Sequence, residues 1–193
     1  MDLIKEVETR EELYLEIPKG GVGAEIGVFK GSNAVHLFFA TKPSVMFLVD
    51  TWEDTDDNGE EWRFISDGVE PQRWYRDHRS LMSKLFKEEI EEGRVILHRG
   101  VGGDWLYNLP DDTLDWVYLD SDHEYDAICI ELDLAVRKVK SGGYIMGHDY
   151  LCEPLAWRSS VIRAVNERIQ NGDIKMEAIT VEKEPSYLTK VFS

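Results

Sequence analysis

The feature that most constrains this chain is an alternation of short apolar runs with amphipathic stretches along nearly its whole length. The clearest run is Val45–Asp50 (VMFLVD), almost continuously apolar, as expected of a strand covered on both faces. Comparable runs at 22–28, 94–98, 114–120 and 144–147 predict further strands. Between them, helices are expected at 32–41, 74–92, 104–109 and 125–140. In the last of these Ile128, Leu132, Ala135, Val136 and Val139 share one face, and Gly142-Gly143 is expected to end it. Ser32 reads as an N-cap and Pro43 as a stop for the 32–41 helix. A short helix is expected over 5–16 and another over 159–170. Two consecutive strands, 174–181 and 187–192, close the chain. This order predicts an α/β fold, an open and mostly parallel sheet with helices on both faces. In such sheets ligands bind outside the carboxyl ends of the strands, so the informative residues should follow each strand.

At 193 residues the chain is expected to form one domain, 1–193. It shows no repeat, low-complexity tract or linker. The segment 51–79 interrupts the pattern with polar and aromatic residues, among them Trp52, Trp62, Phe64, Trp74 and Tyr75. Following the second long strand, it is a candidate lid at the ligand edge. Its aromatic faces would suit a sugar or aromatic ligand, or would pack the insertion down. Within it, Asp54 to Gly59 matches the first half of an EF-hand loop, but the twelfth position is Ile65 and the bidentate glutamate is missing. A polar turn is expected there.

The formal charge is −16, and it is local. Residues 50–62 and 111–126 each hold seven acids and no Lys or Arg, so they carry −14 of it. Both segments adjoin strand ends where ligands should sit. Such a field disfavours nucleic acid, anionic membrane and polyanionic ligands, and favours cations. No apolar run approaches the ~18 residues of a membrane span. The charged N-terminus is unlike a signal peptide. Cys129 and Cys152 form no disulfide framework or zinc pattern, so a reducing cytoplasm is expected.

After the first long strand, Gly27 and Gly31 bracket a tight strand-to-helix turn. It is neither a Walker A loop nor a G-x-G-x-x-G dinucleotide fingerprint. Asp50 ends the next strand, 19 residues beyond Gly31, where an acid can accept both hydroxyls of a ribose or simply face solvent.

Together, four segments carry a family resemblance. They are E-I-G-V-F-K-G-S from Glu25 to Ser32, V-D-T-W at 49–52, L-D-S-D-H-E-Y at 119–125 and G-G-Y-I-M-G-H-D-Y at 142–150. In order and spacing the chain resembles class I S-adenosylmethionine-dependent methyltransferases over residues 20–192. Within them it is similar to the branch that O-methylates sugars and other small molecules. The resemblance implies a Rossmann-like seven-stranded sheet in the order 3-2-1-4-5-7-6, with strand 7 antiparallel. It places Glu25, Gly27, Gly31 and Ser32 around the methionine part of the cofactor, and Asp50 on the ribose with Thr51 and Trp52 beside it. The loop 99–104, with Gly102, would approach the adenine, although the family's Gly-Asp-Ser there is replaced by Gly100-Val101-Gly102-Gly103-Asp104. A homodimer is common in the family; no diagnostic stripe marks one here.

Asp120 ends the fourth strand of that scheme, and His148-Asp149 end the fifth. Neighbouring strands would bring these three together as ligands for a divalent cation. Carboxylates suit Mg2+ or Mn2+, and an added imidazole favours Mn2+, Fe2+ or Zn2+. The alternative is a hydrogen-bonded pair without metal. His123 is a candidate general base or a cofactor contact, and His148 is the rival base. His36 and His98 are expected to be structural. The leading expectation is methylation of a small hydroxylated acceptor. The alternatives are a nucleotide-cofactor oxidoreductase on a related sheet and a non-catalytic S-adenosylmethionine-binding protein.

Overall fold

The computed structural model describes residues 4–52, 78–151 and 160–192. In chain order the elements are β1 (Lys5–Val7), α1 (Arg10–Tyr14), β2 (Val22–Ile26), α2 (Ser32–Thr41), β3 (Val45–Asp50), α3 (His78–Leu85), α4 (Lys87–Glu91) and β4 (Val95–Arg99). They continue with α5 (Gly102–Asn108), β5 (Leu114–Leu119), α6 (Tyr125–Lys138), β6 (Val139–Gly147), α7 (Ser160–Asn171), β7 (Ile174–Thr180) and β8 (Tyr187–Val191).

All eight strands form one sheet in the order β1-β7-β8-β6-β5-β2-β3-β4. Only β8 runs antiparallel to its neighbours, β6 and β7. Read from β4 to β7, seven strands reproduce the expected 3-2-1-4-5-7-6 order. The eighth is a correction. Residues 5–7 do not open a helix but add β1 parallel to β7, with Lys5, Glu6 and Val7 opposite Ala178, Ile179 and Thr180. A three-residue strand has no readable period, and only Val7 of the three is buried. Backbone pairing to a strand far along the chain decides its conformation, so local pattern could not reveal it.

The two faces of the sheet bury separate cores. One packs Leu106 of α5, Ile128 and Leu132 of α6, and Val161 and Val165 of α7 against Val49, Val117 and Ile145. The other packs Leu13 and Tyr14 of α1, Leu37 and Phe38 of α2, and Met82 of α3 against Met46, Leu48, Trp116 and Tyr118. Successive β5 residues Trp116, Val117, Tyr118 and Leu119 alternate between them, as the strand's period of two requires. Each large buried apolar side chain contributes roughly 1.5–3 kcal/mol.

Three boundaries differ from expectation. The helix expected over 74–92 is broken at Phe86, whose φ of −102° and ψ of 28° are not helical; 74–77 lie outside the described residues. The helix expected to reach 140 stops at Lys138, and β6 starts at once, with Val139 opposite Leu114. Gly142-Gly143 therefore lies inside a strand, beside a register shift. The α2 N-cap is Gly31, not Ser32, which is the first helical residue. Of the candidate lid, only Thr51, Trp52, His78 and Arg79 fall among the described residues; the EF-hand-like turn does not. Among the described residues no helix is long and apolar enough to cross a membrane.

Candidate active site

Parallel strands deliver their carboxyl ends to one edge, and backbone hydrogen bonds knit those ends together. Asp120 N–H donates to Ile26 O at 2.8 Å, and Gly27 N–H donates to Val49 O at 2.9 Å. Gly27 has φ of 85°, and a Cβ there would lie 2.0 Å from the Asp120 carbonyl oxygen. Glycine is thus required by both backbone conformation and close approach. Gly31, with φ of 75°, is favoured by its backbone conformation, and a Cβ there would lie 2.0 Å from Sδ of the flexible Met82 side chain of α3. Gly102 opens α5 where a Cβ would meet Ile26 Cγ2 at 2.1 Å and Glu131 Oε1 at 2.7 Å. The space beside all three is filled by protein. Ser32 is exposed on the first turn of α2.

Asp50 organises the glycine loop. Its Oδ2 accepts the N–H groups of Val28 and Phe29, both at 2.8 Å, and its Oδ1 accepts Trp52 N–H at 2.7 Å. Phe29 and Trp52 hold φ of 49° and 43°, a left-handed conformation costing of order 1–2 kcal/mol each for such residues. Charge-assisted hydrogen bonds from their own N–H groups offset that cost. A carboxylate has about four acceptor positions, so Asp50 keeps capacity for a ligand hydroxyl. Thr51 O accepts Arg99 Nε–H at 3.0 Å, tying β3 to β4.

Glu25, one residue before the end of β2, is fully buried. Asn33 Nδ2 donates to its Oε1 at 2.9 Å, and Tyr14 O–H in turn donates to Asn33 Oδ1. Glu25 Oε2 is buried with no hydrogen-bond partner. Burial pushes the carboxyl well above its ordinary pKa, outweighing the Asn33 hydrogen bond, and Asp120 and Asp50 push it further. A buried acceptor left this way is costly, and a cationic N–H donor would relieve it.

Asp120, His123, His148 and Asp149 converge at the ends of β5 and β6. His123 Nε2 lies 2.7 Å from Asp149 Oδ2. His148 Nδ1 lies 3.5 Å from the same oxygen and 3.8 Å from Asp120 Oδ1. Burial works against the Asp149 anion, but hydrogen bonds from both histidines hold it well below the usual carboxylate range. The hydrogen bond to Asp149 raises His123. Burial, with help from Asp149, pushes Asp120 up to about 6 against the attraction of His148 and His123. On the far side of His148, Arg10 Nη2 is 2.9 Å from Nε2.

A small pocket beneath this cluster is lined by Asp120, Ser121, Asp122, His123, Glu131 and Tyr187 among others. Ser121 Oγ lies 2.7 and 2.8 Å from the two oxygens of Glu131, which burial pushes up to about 7. Arg10, Ser121 and Glu131 escaped the reading of the sequence. Glu131 does carry a faint signal: it adjoins the apolar face of its helix, three residues after Ile128. Arg10 carries none. His36 and His98 are exposed and lie outside the cluster; His36 faces Glu11, and His98 lies beside Trp105.

Donor atoms of Asp120, His123 and Asp149 all lie within 4.8 Å of one another. Two carboxylates and one imidazole fit a divalent cation, which would also offset the burial and the Asp149 charge that raise Asp120. The expected set had His148 in place of His123. His148 instead groups with Asp149 and Glu184, while its Nε2 faces Arg10.

A family profile for a methyltransferase domain matches residues 24–150, more than half of the chain and the span that holds every residue of this cluster except Arg10 and Glu184. The chain belongs to the class I family of S-adenosylmethionine-dependent methyltransferases. Solved methyltransferases share the fold of this one. The O-methyltransferase TomG from Streptomyces achromogenes, involved in tomaymycin synthesis and solved with S-adenosylmethionine, aligns with a TM-score of 0.65 and 17% identity over 95% of this chain and 78% of its own. An O-methyltransferase from Bacillus cereus, solved with S-adenosylhomocysteine, aligns at 0.62 and 13% over 95% and 78%. An rRNA methylase from Streptococcus thermophilus aligns at 0.60 and 7% over 95% and 94%. No curated protein sequence matches the chain.

Proposed function

We propose that this methyltransferase transfers the methyl group of S-adenosylmethionine to a hydroxyl of a small, neutral or cationic acceptor such as a sugar or secondary metabolite. The observation that carries this reading is the His123–Asp149 pair, 2.7 Å apart beside Asp120. A hydroxyl must lose its proton as it is methylated, and a histidine oriented by a carboxylate is a group suited to take it.

S-adenosylmethionine, when bound, supplies a methyl group already activated on a sulfonium, so no covalent enzyme intermediate is needed. The remaining work is alignment and proton removal. Glu25 fits the cofactor's amino acid end, because its unpartnered Oε2 would accept the ammonium. Asp50 keeps acceptor capacity for the ribose while holding the loop that shapes its site. Gly102 and the loop before it stand on the adenine side. Asp149 accepts the Nε2–H of His123 and so fixes the orientation of its ring.

A second reading is favoured by the convergence of Asp120, His123 and Asp149. These three would hold a divalent cation, Mg2+ or Mn2+, which would orient acceptor oxygens and favour the alkoxide. Asp50, Asp120, Asp122 and Asp149 at this edge support a cationic cofactor and argue against RNA or a membrane surface as the partner; Asp111, Asp112 and Asp115 lie at the opposite end of β5, where Asp111 pairs with Arg137 and Lys138 and Asp115 with Lys140. With two cysteines and no disulfide framework, the cytoplasm is the expected compartment.

Calorimetric titration with S-adenosylhomocysteine is the first test. Binding is expected, and its absence sinks the reading. Binding of NAD(H) in its place would favour the oxidoreductase alternative. A methyl-transfer screen over hydroxylated acceptors, with and without chelator, then separates the two modes of proton removal. Loss of turnover in chelator that returns with Mn2+ selects the cation. Binding without turnover of any acceptor leaves a cofactor-binding protein.

A further inference from the structure

The unexpected eighth strand brings the start of the chain against the cofactor side of the site. Val181 N–H donates to Val7 O at 2.9 Å and continues the pairing of β1 with β7. The chain then turns into α1, whose last two residues, Leu13 and Tyr14, are fully buried in the core that also holds Leu37 and Phe38 of α2. Tyr14 lies edge-on to Tyr118 of β5, with ring centroids 6.0 Å apart and ring planes at 84°. The Tyr118 hydroxyl is itself 3.2 Å from Ser186 Oγ, just before β8. A ring packed on all sides has one orientation, so the Tyr14 hydroxyl has a fixed direction.

That hydroxyl faces Asn33 in the first turn of α2, and Asn33 faces Glu25. The three groups form a relay in which each has one role. Asn33 Nδ2 donates to Glu25 Oε1 at 2.9 Å, which turns the other end of the amide, Oδ1, away from the carboxyl. Oδ1 is an acceptor, and Tyr14 O–H is its donor. An amide held at one end only could turn over and set its own oxygen against the carboxylate. Held at both ends, it fixes one oxygen of Glu25 and leaves the other, Oε2, buried without a hydrogen-bond partner.

We propose that Tyr14 is a positioning residue of the cofactor site: acting through Asn33, it holds Glu25 so that Oε2 receives the ammonium of S-adenosylmethionine. This rests on the reading of Glu25 as the acceptor of that ammonium. It gives β1 and α1 a part in cofactor binding that requires no contact between Tyr14 and the cofactor.

The test compares two ligands by calorimetry. S-adenosylhomocysteine carries the amino acid end, and 5′-methylthioadenosine has the same nucleoside and sulfur without it. Tyr14→Phe removes the hydroxyl and keeps the packed ring. It should weaken S-adenosylhomocysteine about 10-fold, the equivalent of one hydrogen bond, and leave 5′-methylthioadenosine unchanged. Asn33→Ala should show the same split between the ligands. Because the two residues act in series, adding Tyr14→Phe to Asn33→Ala should cost no further affinity. Equal weakening of both ligands by Tyr14→Phe would make the hydroxyl merely structural, and no weakening of either, or full additivity with Asn33→Ala, would also overturn the proposal. A readout without ligand is solvent exchange of the Asn33 side-chain amide protons in the 15N-labelled full chain, assigned by their loss in Asn33→Ala. Exchange should be slow in the wild-type protein and faster in Tyr14→Phe; equal rates would overturn the relay. If Tyr14→Phe does not fold, the ligand split in Asn33→Ala and the wild-type exchange rate still decide it. Absence of S-adenosylhomocysteine binding by the wild-type protein would remove the proposed function, while the amide exchange would still report whether Tyr14 holds Asn33.

Discussion

The two halves of the site are built in different ways. The half around Glu25 and Asp50 is local: one strand–loop–helix–strand unit, with Asp50 accepting from Val28 and Phe29 only 21 or 22 residues away. The half around Asp120, His123, His148 and Asp149 draws on three segments, and Arg10 reaches it from 138 positions away. The difference shows in the carboxylates. Glu25 holds a buried oxygen with no partner, whereas Asp149 is surrounded by histidine donors. The first half leaves an acceptor unmet. The second pairs its acids with imidazoles.

The largest effect should come from the second half. His123→Asn is expected to lower methyl transfer by roughly 10²–10⁴-fold while S-adenosylhomocysteine binding stays intact. Parallel kinetics and calorimetry check this, and a parallel loss of binding would erase the distinction between the halves. In the wild-type protein kcat should rise with pH through an inflection above 6.5, because Asp149 raises His123 and only neutral imidazole accepts a proton.

Glu25→Gln tests the first half. It should weaken S-adenosylhomocysteine binding by about 10- to 100-fold, the equivalent of losing a charge-assisted hydrogen bond. Thermal stability of the free protein should hold or rise, since the variant removes a carboxyl that burial disfavours in its charged form. A large loss of stability would mean that Glu25 is a structural residue.

Between the halves stands Glu131, buried and pushed up to about 7 but satisfied by Ser121. An acid raised on folding binds its proton more tightly in the folded state. It stabilises most below its unfolded value near 4.5, and that contribution is lost as pH rises toward 7. Thermal melts from pH 4.5 to 7.5 should therefore show a drop in the wild-type protein that is smaller, by as much as about 3 kcal/mol, in Glu131→Gln. Equal drops in both proteins would refute the assignment. The smallest effect is expected for Asp50→Asn, which leaves one amide oxygen where two carboxylate oxygens served three N–H groups. It should cost about 1–3 kcal/mol in chemical denaturation.

Most of the architecture was legible because hydrophobic period is a local property. Val45–Asp50 needed no partner to be recognised as a strand, and Asp50, Asp120 and Asp149 do stand at the carboxyl ends of β3, β5 and β6. Position says less about contacts. That a Cβ at Gly27 would meet the backbone of Asp120, and one at Gly31 the side chain of Met82, is a matter of packing across the fold. That Asp50 also holds three N–H groups of its own chain is likewise visible only in the structure.

The sequence alone determined the order of strands and helices, the seven-strand core and the family, because each rests on contiguous residues and their spacing. Only the tertiary structure decided that residues 5–7 form a strand, that Glu25 keeps an unpartnered oxygen, and that His148 and His123 take different partners. Those outcomes depend on which side chains packing brings within hydrogen-bond distance. Nothing near residue 10 in the chain foretells a partner at residue 148.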